Sequence, residues 1–121
     1  MARIVLIEDS PTDRAVFIQW LTKAGHEVLE AGNAEDGIKL VQEHQPQLVL
    51  MDVVLPGMSG FQATRALNRD DKTKAIPVII VSTKAMETDK AWGLRQGAAA
   101  YVVKPPREED LIAQINELLV S

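Results

Sequence analysis

The chain has 121 residues, with 17 acids against 13 Lys plus Arg for a net charge of −4, two His and no Cys. That length is one domain with room for a real core, and 46% hydrophobic with 25% charged residues describes a folded rather than a disordered chain. The composition excludes disulfides and thiolate chemistry, its mild acidity argues against nucleic-acid binding, and no apolar run approaches the ~20 residues of a membrane span.

The first apolar run is Ile4-Val5-Leu6-Ile7, too short for the core of a signal peptide. Ser10-Pro11-Thr12-Asp13 then supplies a cap, a Pro at the first helical position and an acid in the first turn. The helix it opens carries Val16, Phe17, Trp20 and Leu21, and Gly25 can end it. Val28-Leu29 is a weaker strand candidate. Asn33, followed by Glu35 and Asp36, starts a second helix with Ile38 and Val41 inward. Leu48-Val49-Leu50-Met51 is the next apolar run, and Ala63, Ala66 and Leu67 mark a third helix starting near Phe61. Val78-Ile79-Ile80-Val81 precedes a less regular helical segment over 86–96, closed by Gly97. Tyr101-Val102-Val103 is the last run. Leu111, Ile112, Ile115, Leu118 and Leu119 then follow a helical period behind Glu108, Glu109 and Asp110.

Continuous apolar runs indicate strands covered on both faces, and each gap between them holds a helix. The pattern predicts an α/β fold: a doubly wound, five-stranded parallel sheet with five helices, in a single domain over 1–121. Ligands of such folds bind beyond the carboxyl ends of the strands. The first run ends in Glu8-Asp9, the third in Asp52, the fourth in Ser82-Thr83 and the fifth in Lys104-Pro105. Alone, each residue is more simply a turn, cap or surface group. Together they form a constellation. Carboxylates ~5 Å apart repel by roughly 3 kcal/mol per pair at an effective dielectric near 20, so the cluster calls for a cation. All-oxygen ligands favour a hard divalent ion, Mg2+ before Ca2+. Carboxylates, Mg2+, a hydroxyl and a lysine suit phosphoryl transfer, with Asp52, the lone acid on the central run, as nucleophile.

The matching segments are Ile4-Val5-Leu6-Ile7-Glu8-Asp9-Ser10, Val49-Leu50-Met51-Asp52-Val53-Val54-Leu55-Pro56-Gly57-Met58-Ser59-Gly60, Val81-Ser82-Thr83-Lys84, Gly97-Ala98 and Tyr101-Val102-Val103-Lys104-Pro105. On them the chain resembles the receiver domains of two-component response regulators over essentially its whole length. Three further segments are similar to the PilH-type regulators of twitching-motility chemosensory systems: Gly60–Arg65, Ile76–Lys84 and Glu87–Gly93.

The resemblance implies a flavodoxin- or CheY-like sheet in the order 2-1-3-4-5. It implies that Asp52 accepts a phosphoryl group from a CheA-like histidine kinase. Asp9 and Asp52 would bind Mg2+ through their side chains, Val54 through its carbonyl and Glu8 through water. Lys104 would contact the phosphoryl group, with a cis bond to Pro105. Ser82, thirty residues after the acceptor, would be the switch hydroxyl and Tyr101 the aromatic that follows it inward. Two departures stand out: Glu8 replaces the commoner Asp, and Pro106 replaces the residue, commonly Phe, that follows Lys-Pro. Val54 cannot position an attacking water, which predicts slow self-dephosphorylation.

No output domain is expected after the fifth helix, so output would be a change in protein binding. The expected protein is cytoplasmic and monomeric, not a true enzyme, and binds neither nucleic acid nor membrane. Its partners would be the kinase and a downstream motility or signalling protein; alternatively it would only drain phosphate from the kinase. The readout face would surround Tyr101, with Trp92 either a contact anchor or a packing residue. Two rivals fit poorly. Glu8-Asp9 would repel the phosphate of FMN, and an aspartyl-phosphate phosphatase would want an acid where Val54 stands.

Overall fold

A computed structural model describes residues 1–120. Strands and helices alternate from the first residues: β1 (Arg3–Ile7), α1 (Pro11–Lys23), β2 (Glu27–Ala31), α2 (Ala34–His44), β3 (Leu48–Met51), α3 (Gly60–Arg69), β4 (Val78–Ser82), α4 (Glu87–Arg95), β5 (Ala100–Val103) and α5 (Glu108–Leu119). The strands form one parallel sheet in the order β2-β1-β3-β4-β5, as expected.

Alternate strand residues point to opposite faces, and two cores result. Ile4, Leu6, Leu48, Leu50, Ile79 and Val81 pack with Phe17 and Leu21 of α1 and with Leu111 and Ile115 of α5. Val5, Ile7, Val49, Met51 and Ile80 pack on the other face with Val41 of α2 and with Ala63 and Leu67 of α3. β1, β3 and β4 are covered on both faces, which is why each reads as an unbroken apolar run. No helix among the described residues is long and apolar enough to cross a membrane.

The caps form as the sequence predicts. Ser10 Oγ accepts from the Asp13 N–H at 3.3 Å, and Asn33 Oδ1 accepts from the Asp36 N–H at 2.8 Å. Ser59 and Gln62 form a reciprocal capping box at the start of α3. That helix begins at Gly60 because only glycine fits there: a Cβ would lie 1.9 Å from the Asp52 carbonyl oxygen. The expected inward face of α3 needs one change, since Ala66 is exposed and Thr64 is buried in its place. Thr64 can be buried because its Oγ1 donates to the Gly60 carbonyl at 2.8 Å.

Candidate functional site

The strand order reverses at β1, whose neighbours are β2 and β3, so the loops leaving β1 and β3 diverge and open a crevice. The parallel ladder runs past the strand ends and fixes the backbones there. Glu8 N–H donates to the Ala31 carbonyl at 2.9 Å, Asp52 N–H to that of Ile7 at 3.0 Å and Lys104 N–H to that of Ser82 at 2.9 Å. Three side chains from distant sequence are thereby carried to one point.

Glu8, Asp9 and Asp52 each offer a carboxylate oxygen, and these atoms all lie within 4.8 Å of one another. Glu8 is 1% exposed and Asp52 8%, while Asp9 faces solvent. The Lys104 ammonium lies among them, with its side chain 8% exposed. It donates to Glu8 Oε1 at 2.6 Å, to Asp13 Oδ2 at 2.9 Å and to Asp52 Oδ2 at 3.3 Å, which uses all three of its donors. The Phe17 ring lies below, its centroid 5.9 Å from the nitrogen. The Lys104–Pro105 peptide is cis, as the resemblance implies. Asp52 Oδ1 accepts from the Val53 N–H at 2.7 Å, so the acceptor candidate is held at both oxygens.

The electrostatics follow from burial. Desolvation pushes the Glu8 carboxyl upward to about 7, against the pull of Lys104 and with the neighbouring Asp52 adding to the rise. The carboxylates push Lys104 the other way, above the ordinary lysine value, although its burial opposes them. A single lysine that serves three acids, with Asp9 a fourth beside them, leaves the cluster short of positive charge. A divalent cation fits that deficit, and an all-oxygen donor set at this spacing fits Mg2+. Glu8, Asp9 and Asp52 are the side chains that would hold it.

The other predicted residues surround this point. Ser82 closes β4, is fully buried, and its Oγ accepts from the Lys84 N–H at 3.3 Å. Tyr101 pairs with Ile80 across β4 and β5, and its hydroxyl donates to the Lys84 carbonyl at 2.7 Å. Burial, with the charge of Asp89, raises the Tyr101 phenol above its usual value. Val54 lies two residues beyond Asp52 with an exposed aliphatic side chain. Trp92 is 47% exposed, which decides against an interior packing role.

Asp13 is a site residue that the sequence reading gave only as a helix-start acid. Its position in the first turn after β1 was the signal, because that turn faces the carboxyl edge of the sheet. Removing Glu8, Asp9, Asp13, Asp52 and Lys104 leaves thirteen acids against twelve bases. Most of the net charge therefore belongs to this crevice.

Comparison with known proteins agrees with this geometry. A family profile described as response regulator receiver domain matches residues 4–116. Protein PilH of Pseudomonas aeruginosa is 54% identical over 121 residues, covering 100% of both chains. The chain spans about half the length of several other relatives that it matches, the transcriptional regulators AfsQ1 and PhoB among them. Chemotaxis protein CheY4 of Vibrio cholerae superposes with a TM-score of 0.91 at 26% identity, covering 98% of each chain. The receiver domain of sensor histidine kinase PA1611 from Pseudomonas aeruginosa superposes at 0.92 with 24% identity, over 99% of this chain and 98% of that one. Its structure is described as having a magnesium ion coordinated in the active site cleft.

Proposed function

The chain belongs to the response regulator receiver domain family, and on that premise we propose that it is a phosphorylation-dependent switch whose acceptor is Asp52. One observation carries the reading. The Lys104 ammonium bridges Glu8 and Asp52 inside an all-oxygen cluster short of positive charge. In the reaction an Asp52 oxygen attacks phosphorus on a kinase phosphohistidine. The O–P bond forms as the N–P bond breaks, and the imidazole leaves with the electron pair. Mg2+, bound by Glu8, Asp9 and Asp52 with the Val54 carbonyl, would offset charge on the phosphoryl oxygens. Lys104 already donates to Asp52 and would donate to a phosphoryl oxygen carried there. Ser82 supplies a hydroxyl for another. Its movement would release the Lys84 N–H, and Tyr101, bonded to the Lys84 carbonyl, would respond.

Full-length similarity to PilH supports a role in a chemosensory, pilus-based motility pathway. A single receiver unit that acts by changed protein binding, in the cytoplasm and as a monomer, fits that role. The test is phosphorylation by acetyl phosphate with Mg2+, followed by intact mass. An acid-stable, base-labile phosphoryl adduct is expected on wild type and absent from Asp52→Asn. Equal labelling of both proteins would refute Asp52 as acceptor. After removal of the donor the adduct should persist for minutes or longer, because Val54 cannot orient water; decay in seconds would contradict that part.

A further inference from the structure

α3 and α4 leave a cleft of about 420 Å³ between them, separate from the carboxylate crevice. Arg65, Asn68 and Arg69 line one wall, and Trp92, Arg95 and Gln96 the other. Three arginines therefore line a cleft whose lining holds no acid, on a chain whose net charge is negative.

These exposed arginines differ from the rest of the chain's arginines in their pairing. The other three arginines, Arg3, Arg14 and Arg107, each have a Glu oxygen within 4 Å, at 2.8, 3.8 and 3.8 Å. Among the described residues, Arg65, Arg69 and Arg95 have no ion-pair or hydrogen-bond partner. Arg65 and Arg69 stand four apart on one helix, where like charges repel. Gln96 is a second, independent sign. It is 8% exposed, yet its side-chain amide has no hydrogen-bond partner among the described residues, and it lines the cleft. Its amide is open to the cleft rather than sealed from water, so it is free to pair with a ligand there. Trp92, half exposed beside it, offers a flat aromatic face.

We propose that the α3–α4 cleft binds a nucleoside diphosphate, with its phosphates on Arg65, Arg69 and Arg95, its base stacked on Trp92, and Asn68 and Gln96 reading the base edge. Guanidinium groups hold phosphate oxygens in paired, directional hydrogen bonds. Stacking on an aromatic side chain accepts any base, and amides supply both donors and acceptors to its edge. The cleft volume is within the roughly 300–1,000 Å³ of small-ligand sites. An acidic peptide would answer the guanidinium groups but leave the aromatic face and the free amide beside them unused.

The probes are ADP and GDP, titrated into 15N-labelled protein in EDTA so that no metal bridges phosphate to the carboxylate crevice. The two tryptophan indole N–H signals are followed. Trp92 should shift saturably while Trp20 stays in place. The double variant Arg65→Gln/Arg95→Gln should raise Kd by about tenfold or more, and Trp92→Leu should do likewise. Asp52→Asn should leave Kd unchanged. Adenosine and inorganic phosphate alone should each bind at least about tenfold more weakly than ADP. Four results would overturn the proposal: no saturable shift at millimolar nucleotide, phosphate alone binding as tightly as ADP, unchanged affinity in both cleft variants, or binding lost in Asp52→Asn. Each variant's amide spectrum reports its fold in the same experiment.

Discussion

His26 Nδ1 accepts a hydrogen bond from the Ala2 N–H at 3.2 Å, which ties the entry of β1 to the loop before β2. Its Nε2 is buried without a partner among the described residues. A proton on Nδ1 would remove the acceptor and put a charge in a poorly solvated place. Burial, with the nearby N-terminal ammonium, accordingly lowers the His26 pKa below its ordinary 6.5. The unfolded chain then takes up the proton first. The stabilisation is complete above about pH 6.5 and is lost as pH falls through the lowered folded value. Glu8 acts with the opposite sign, because its raised carboxyl favours the folded state as pH falls below about 7. The difference between wild type and His26→Gln isolates the histidine. Urea denaturation at several pH values should show wild type losing stability relative to the variant as pH drops from about 7.5 to about 5; parallel curves would exclude the effect. The sequence gives no sign of the His26 bond, because its partner Ala2 lies 24 residues away. Asp52 and Lys104 were legible because they end apolar runs, whereas Asp13 was read as a helix-start acid because its long reach to Lys104 leaves no local pattern.

Secondary elements were legible in proportion to their burial. β1, β3 and β4 lie inside the sheet, and their apolar runs are unbroken. β2 is an edge strand whose Val28 and Leu29 are flanked by solvent-facing Glu27 and Glu30, so its signal was weak. α4 was the least regular helix for a related reason. Trp92 and Leu94 are exposed, and only Gly93 of this helix is buried. That glycine lies against the ring proposed as part of the switch. A Cβ on it would lie 2.9 Å from Tyr101 Cδ2 and 3.0 Å from Ile80 Cδ1. Gly93→Ala gains about 1 kcal/mol of helix propensity but overpacks a filled site, which costs about 1–3 kcal/mol. The core term should win, because Ile80 is fixed in the central sheet and Tyr101 is anchored to the Lys84 carbonyl. A lower denaturation midpoint with an unchanged slope is expected. A raised midpoint would mean that α4 floats free of Tyr101.

At the scale of the whole molecule, the crevice exists only when the sheet is assembled. Asp9 and Asp52 are far apart in sequence, and parallel pairing of β1 with β3 is what brings them together. Five apolar runs were enough to place the acids at one edge, but not to show that one lysine would be shared among three carboxylates. That sharing has a thermodynamic consequence. The unfolded chain holds no such cluster, so a cation that fits it binds the folded state alone and stabilises by mass action. At about ten times its dissociation constant, Mg2+ should add about 1.4 kcal/mol, or roughly 5–6 °C in melting temperature for a domain of this size. The rise should follow Mg2+ concentration, vanish on chelation with EDTA and be absent with NaCl at equal ionic strength, since screening alone is not selective. Asp9→Asn is the discriminating variant. Asp9 is exposed and has no ion pair among the described residues, so its loss should leave the metal-free fold intact while flattening the Mg2+ dependence. An Mg2+ shift of equal size in wild type and Asp9→Asn would place the ion elsewhere on the surface.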